Sequence, residues 1–201
     1  RVANTARPKV GVVTSLPIMG DPRQMMGLGG MSEPWVMFGE LEKTHDVTLL
    51  SLDNLTIPTD MNLVLALHPK ALGDAQLYAL DQYVLRGGKL LVVLDANARA
   101  DAMSSGGRAM NFSSELPKLL DAWGVRYNGG LVVGDPQLGT PVNSSQGVLR
   151  FPLWLSVGPQ QLDREHPVTS QLESLLFAES GFFLPADNAT SEFLPLAQTT
   201  S

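Results

Sequence analysis

Unbroken apolar runs recur along the first half of the chain, and each is ended by polar residues, proline or glycine. They are rich in Val and Leu and lack the alternation of a strand with one face in water. Such runs predict strands that are buried on both faces of a sheet. The predicted strands cover 9–15, 47–52, 63–67 and 89–94.

Two helices are predicted between these strands. Ser32 and Asp74 are residue types that cap helix N-termini, and Gly87-Gly88 is a typical helix stop. Apolar positions recur at helical spacing, as Trp35, Phe38 and Leu41 in the first helix and Leu77, Leu80 and Val84 in the second. Strands that alternate with helices predict a doubly wound α/β domain with a mainly parallel sheet.

The second half of the chain has a different pattern of polar and apolar residues. A polar, glycine-containing stretch at 97–111 predicts a long loop. A short helix is predicted from Leu116 to Trp123, followed by a fifth strand at 131–133. Beyond Asp135, β-branched and aromatic stretches broken by proline predict antiparallel strands, at 148–157, 175–184 and 193–197. We therefore expect an α/β core at 1–135 and a β-rich extension at 136–201.

Charge and composition exclude several classes of function. The chain has 14 basic and 20 acidic residues, a net charge of −6, with no basic cluster. Nucleic acid is therefore not an expected partner, because binding it requires Lys and Arg against phosphates. The absence of cysteine excludes disulfides, thiolate metal sites and a cysteine nucleophile. No apolar run reaches the roughly 20 residues of a membrane span, and the chain opens at Arg1, so we expect a fragment of a longer protein.

Candidate binding residues lie at the carboxyl ends of the predicted strands. Ligands of open parallel sheets bind at this edge, near the point where the strand order reverses. The candidates for contact with a ligand or partner are Thr14, Ser15, His68, Lys70, Asp95 and Asn97.

None of these residues completes a catalytic motif. Ser15 is followed by Leu16-Pro17 instead of the tight strand-to-helix turn of a hydrolase nucleophile. Asp95 lacks the second carboxylate that a magnesium site needs. The stretch from Gly27 to Ser32 fits neither phosphate-binding template, and the methionines around it have no cysteine or histidine pair for copper. We expect no catalytic residue, cofactor or metal.

Two alternatives remain open at the level of sequence. A glycan- or peptidoglycan-binding module would stack sugar rings on tryptophan, for which Trp35, Trp123 and Trp154 are available. A hydrolase would have to use Ser15, His68 and Asp95, with His68 as its base.

Longer sequence blocks carry a resemblance to a known family. The blocks are 9–15, 63–70, 78–95, 131–135 and 166–169, and the run from Tyr78 to Asp95 is the most specific of them. Together they resemble the auxiliary, substrate-binding-like component of ABC transporters, a family that includes gliding-motility transport proteins.

The resemblance implies more than the residues alone indicate. It implies a flavodoxin-like sheet, similar to that of class I glutamine amidotransferases, and an extracytoplasmic (periplasmic) domain tethered to the membrane by segments outside this chain. The implied partners are an ABC permease and its ATPase. The amidotransferase relatives use a cysteine nucleophile that this chain lacks. The implied function is therefore non-catalytic binding or scaffolding.

Overall fold

The structure is a computed structural model that describes residues 6–20, 33–104, 111–145, 147–187 and 189–200. The described residues fall into two compact units. The first lies within 1–94 and 98–119, and the second within 95–97 and 120–201. The first combines a parallel sheet with helices and the second contains antiparallel sheets, so the chain is a mixed α/β protein.

A four-stranded parallel sheet forms the centre of the first unit. Its strands are β1 (Lys9–Thr14), β2 (Asp46–Leu49), β3 (Leu63–Leu67) and β4 (Leu90–Val93), in the order β2-β1-β3-β4. All three pairings are parallel. The four apolar runs are therefore confirmed as strands, and the parallel sheet is confirmed with them.

Helix α1 (Val36–Thr44) covers one face of this sheet. Phe38 from the helix is buried against Val10 and Val12 of β1 and against Leu65 and Leu67 of β3. Strand side chains alternate between faces, so Val64 and Ala66, which are also buried, lie on the opposite face of β3. Because β3 is buried on both faces, its sequence is an uninterrupted apolar run.

Two further helices of this unit are α2 (Asp74–Leu85) and α3 (Arg99–Ser104). The N-cap of α2 is Gly73, so Asp74 is the first residue of the helix and not its cap. Trp35 is the N-cap of α1, and the predicted cap Ser32 lies outside the described residues. After α2, Gly87 takes a φ of 85°, which glycine adopts readily.

The prediction of a continuous loop over 97–111 is wrong at α3. The segment alternates Ala98, Ala100 and Ala102 with polar residues, and alanine has the highest helix propensity. Ala98 is buried and Ala100 packs against the core cluster that contains Phe38. Helix α4 (Pro117–Ala122) follows and confirms the short helix predicted before Gly124.

Antiparallel pairing characterises the second unit. One sheet pairs β5 (Val125–Tyr127) with β9 (Phe183–Pro185), and a three-stranded sheet has the order β6-β7-β8. The strands of the latter are β6 (Gly139–Ser144), β7 (Gly147–Val157) and β8 (Leu175–Ala178), which confirms antiparallel structure beyond Asp135. Leu138, Leu155, Val157 and Leu162 form its buried core.

Two predicted strands of the second half are absent from the described elements, and a third is divided. Residues 131–133 are irregular, and Val133 makes one backbone bond, to Ser180. In 193–197 only Ala197 pairs, through an isolated bridge to Leu162. The predicted strand over 175–184 is interrupted after β8, where Glu179 takes a φ of 55°. A left-handed residue ends the extended geometry that a strand requires.

Candidate functional site

The strand order places a topological switch between β1 and β3. β2 lies on one side of β1 and β4 lies on the far side of β3, so the connections diverge between these two strands. Ligands of open α/β sheets bind at the carboxyl ends beside such a point. Thr14 ends β1 and Ser15 follows it, and His68 and Lys70 follow β3, with Thr14 in register with Leu67. The structure thus brings four of the six candidate residues to neighbouring strand ends.

The hydroxyl groups at the end of β1 bind backbone atoms. Ser15 Oγ donates to the carbonyl oxygen of His68 at 2.7 Å. Thr14 Oγ1 accepts a bond from the backbone N–H of Leu16 at 3.0 Å. The backbone N–H of His68 in turn donates to the Val93 carbonyl at 2.9 Å. The bonds of the Ser15 hydroxyl and of the His68 N–H join the ends of β1, β3 and β4, and the Thr14 bond is local to the end of β1.

His68 is buried at the end of β3 with a left-handed backbone, at a φ of 44°. Ala71, three residues later, also has a positive φ of 55°. Non-glycine residues seldom adopt this region, and they concentrate at functional sites. The carboxylate of Asp101 lies beside the imidazole, with 3.5 Å between His68 Nε2 and Asp101 Oδ2.

Lys70 is the cation of this group. Its Nζ donates to Asp101 Oδ2 at 2.6 Å and to the backbone oxygen of Asn111 at 2.6 Å. The side chain of Asn111 accepts bonds from the N–H and the hydroxyl of Ser113, which fixes this turn. We call Ser15, His68, Lys70, Asp101 and Asn111 the β3-end cluster.

Sequence reasoning missed Asp101, the carboxylate at the centre of the β3-end cluster. The residue lay in a predicted loop, and the alternating alanines were the one signal that a helix would carry it. Burial is the largest influence on Asp101 and raises its pKa. The hydrogen bond and charge of Lys70, together with those of His68, outweigh burial and leave the pKa below its ordinary value. Asp101 is therefore ionised at neutral pH.

The remaining candidates, Asp95 and Asn97, belong to the second unit. Asn97 Nδ2 donates to Glu179 Oε2 at 2.6 Å, and the indole N–H of Trp154 donates to Glu179 Oε1 at 3.3 Å. We call Asn97, Trp154 and Glu179 the Glu179 cluster. Asp95 is half-buried two residues before Asn97. Glu179 was missed because it lay inside a predicted strand.

Trp35 and Trp154, two of the three tryptophans of the glycan alternative, have structural contacts. Trp35 packs against the core cluster on the α1 face of the sheet. Trp154 is half-buried, its ring meets that of Phe151 edge-on at 5.5 Å, and its N–H is directed at Glu179.

Asp135 organises a separate network in the second unit. Its Oδ1 accepts bonds from the backbone N–H groups of Gln137 and Leu138, at 2.8 and 3.2 Å. Its Oδ2 accepts bonds from the backbone N–H and the hydroxyl of Thr200, at 2.8 and 2.6 Å. The bonds from Thr200 are the main cause that lowers the pKa of Asp135 to about 2. This carboxylate fastens the chain around residue 200.

One surface hollow of the described residues is lined by the second unit. A hollow of about 430 Å³ in the second unit is lined by 160–163, Pro195 and 198–200. Across the described ranges, no three His, Asp or Glu side chains lie close enough together to hold a metal ion. No helix within those ranges is both long enough and apolar enough to cross a membrane.

Comparison with known proteins supplies the functional context. A family model described as an ABC-type uncharacterized transport system matches residues 7–201. The chain belongs to this family of auxiliary components of ABC transport systems. Membership associates the chain with an ABC transport system, and the match extends over both units. No curated protein and no solved structure showed a significant match to the chain.

Proposed function

We propose that this member of the auxiliary family is a non-catalytic binding and scaffolding domain of an ABC transport system. The observation that carries the proposal is the mutual pairing within the β3-end cluster. Ser15 Oγ donates to a main-chain carbonyl, and His68 Nε2 lies 3.5 Å from Asp101 Oδ2. A serine hydrolase requires the serine hydroxyl and the imidazole to bond each other.

The same pairing suits a rigid binding surface. Lys70 and Asp101 hold the start of α3 and the Asn111 turn against the end of β3. Thr14, Ser15, His68 and Lys70 are the residues that we propose to contact a ligand or a partner in the first unit. Asp95 and Asn97 are the proposed contacts of the second unit.

We also propose a fold type, a cellular location and partner proteins for the chain. The order β2-β1-β3-β4 corresponds to the first four strands of the flavodoxin-like order 2-1-3-4-5, which supports a flavodoxin-like core. We propose an extracytoplasmic location, attachment to the membrane outside this chain, and an ABC permease and its ATPase as partners, as in gliding-motility-type systems. The division into 1–135 and 136–201 stays a prediction.

Co-purification tests the proposed partners. The full-length protein, tagged and extracted from its own cells in mild detergent, should carry the permease and ATPase subunits with it. Recovery of neither subunit would overturn the partnership.

Thiol labelling tests the proposed location. Because the chain has no cysteine, Tyr78→Cys at an exposed helix position introduces a single reactive group. In spheroplasts that express a full-length protein with no other cysteine, a membrane-impermeant maleimide should label this variant. Labelling only after lysis would place the chain on the cytoplasmic side and contradict the proposal.

A matched pair of lysine substitutions tests the β3-end cluster. Lys70→Met removes the cation of the cluster, whereas Lys118→Met removes a cation from the exposed pair with Asp74. We expect only Lys70→Met to reduce transport in cells while the complex still assembles. Full transport by Lys70→Met would rule out a role of the cluster in binding.

A further inference from the structure

The hollow of about 430 Å³ in the second unit has a mainly polar lining. Its lining residues are 160–163, Pro195 and 198–200, and we call this space the polar hollow. Leu162 and Pro195 are its apolar members, and the other residues carry amide, hydroxyl or carboxylate groups. Neither Lys nor Arg occurs among these lining residues. The lining therefore suits a ligand that is recognised by hydrogen bonds, and it offers no cation for a phosphate or a carboxylate.

Two short segments form a ribbon at the polar hollow. Leu162 pairs with Ala197 in an antiparallel bridge, and the backbone N–H of Gln198 donates to the Gln161 carbonyl at 2.9 Å. Leu162 belongs to the buried core of the unit. Because side chains alternate along a strand, Gln161, Asp163 and Gln198 lie on the face away from this core. Gln161 and Gln198 are directly opposite each other, an arrangement that places Cβ atoms roughly 4.5–5.5 Å apart.

The glutamines of the polar hollow have hydrogen-bonding capacity that the protein does not use. Across the ranges that the structure describes, the side-chain amides of Gln160, Gln161 and Gln198 form no hydrogen bond with another residue. Each amide has two N–H donors and one carbonyl acceptor. Gln161 is half-buried, and the other two side chains are exposed. Three amides that donate and accept are thus available around one small space.

Asp163 adds a fixed acceptor to these amides. Its Oδ1 accepts bonds from the backbone N–H groups of Glu165 and His166, at 2.9 and 3.3 Å. These bonds hold the carboxylate in one orientation, so binding a ligand costs little additional ordering of this side chain. Oδ2 makes no hydrogen bond to any described residue, and it is available to a hydroxyl donor.

We propose that the polar hollow binds a neutral carbohydrate of one or two sugar rings. Sugar hydroxyls both donate and accept hydrogen bonds, as the set of three amides and one carboxylate requires. The volume lies within the range of small-molecule sites, about 300–1,000 Å³. A peptide is less well matched, because the lining offers few apolar groups and no cation for its side chains. The lining contains no aromatic ring on which a sugar could stack, so the binding is weak.

Saturation-transfer NMR on the full-length protein tests the proposal. The protein is kept in a detergent whose headgroup is not a sugar. The probes are glucose, galactose, N-acetylglucosamine, cellobiose and chitobiose, each at roughly 10 mM, and at least one should receive saturation with a dissociation constant in the millimolar range. Absence of transfer to all five sugars would overturn the proposal.

Substitutions in the ribbon test whether the sugar occupies the polar hollow. Gln161→Ala combined with Gln198→Ala removes two amides from the outer face and should weaken binding by roughly tenfold. Asp163→Asn keeps an oxygen that can accept the backbone bonds of its turn but replaces Oδ2 by a donor, and it should also weaken binding. Gln171→Ala is the control, because Gln171 is exposed outside the hollow, and it should bind as the wild type does.

Two other outcomes would also decide against the proposal. Sugar binding of wild-type strength in both the double glutamine variant and Asp163→Asn, with unchanged circular dichroism, would show that the sugar binds elsewhere. An uncharged glycine-serine peptide with blocked ends provides the competing test. Saturation of this peptide in place of every sugar, lost in the double glutamine variant, would assign the polar hollow to a peptide instead.

Discussion

Lys70 Nζ lies 2.6 Å from Asp101 Oδ2, and this ion pair joins the end of β3 to helix α3. The side chains of Lys70 and Asp101 are 25% and 17% exposed, so water screens the pair less than it screens a surface pair. The exposed pair of Lys118 and Asp74 in the same unit provides an internal comparison.

Lys70→Met is expected to lower the free energy of unfolding by about 1–3 kcal/mol, because it leaves the largely buried carboxylate of Asp101 without its cation. Lys118→Met should cost less than about 1 kcal/mol, as expected for an exposed pair. Urea unfolding followed by circular dichroism measures both values. Equal effects of the two substitutions would show that the Lys70 pair has no special role in stability.

Asp135 should make stability depend on pH in the acid range. Its folded-state pKa of about 2 lies below the ordinary value of 3.8, so the unfolded chain binds more protons between these values. The stabilisation is present above pH 3.8 and is lost as the pH falls towards 2. Asp135→Asn should flatten this part of the curve of unfolding free energy against pH. A curve of unchanged slope would show that the Thr200 bonds are not maintained in solution.

Two glycine substitutions should change stability in opposite directions. A Cβ at Gly88 would lie 2.5 Å from the ring of Tyr83, so Gly88→Ala forces this buried ring to move and should cost about 1–3 kcal/mol. A Cβ at Gly39 in α1 meets no atom within 4 Å. Gly39→Ala should therefore stabilise the protein by about 0.5–1 kcal/mol. Thermal unfolding of the two variants beside the wild type measures the difference in sign.

Substitutions of Glu179 separate its backbone strain from its hydrogen bonds. Glu179→Ala and Glu179→Gly both remove the acceptor of the Asn97 and Trp154 bonds, but only glycine adopts the φ of 55° without strain. The glycine variant should be more stable than the alanine variant by about 1 kcal/mol. Both should change the fluorescence of Trp154 equally. Equal stability of the two variants would show that residue 179 is not left-handed in solution.

The parallel sheet was predictable because its signal is local. Each strand is buried on both faces, so an unbroken run of Val and Leu is enough to identify it. Lys9–Thr14 and Leu63–Leu67 match their predicted runs closely for this reason. Four candidate residues met at one edge because parallel strands all end at the same side of a sheet.

The second half depends on longer-range contacts, and local patterns were less informative there. Leu131 is exposed and Val133 makes one backbone bond, although both have strand-forming character. The pairing of Val125–Tyr127 with Phe183–Pro185 joins segments far apart in the sequence. Asp101 and Glu179 acquire their partners only through tertiary contacts, so no spacing in the sequence indicated either carboxylate as a member of its cluster.

The attachment of Thr200 to Asp135 has a mechanical consequence. Near this attachment, the backbone N–H of Gln198 donates to the Gln161 carbonyl, and the backbone N–H of Asp163 donates to the Leu196 carbonyl. Tension applied to the chain at residue 200 would be borne first by these bonds and not by the core of Leu155 and Val157. The segment 196–200 would detach before the three-stranded sheet unfolds, and the acid pH that protonates Asp135 would lower the force required.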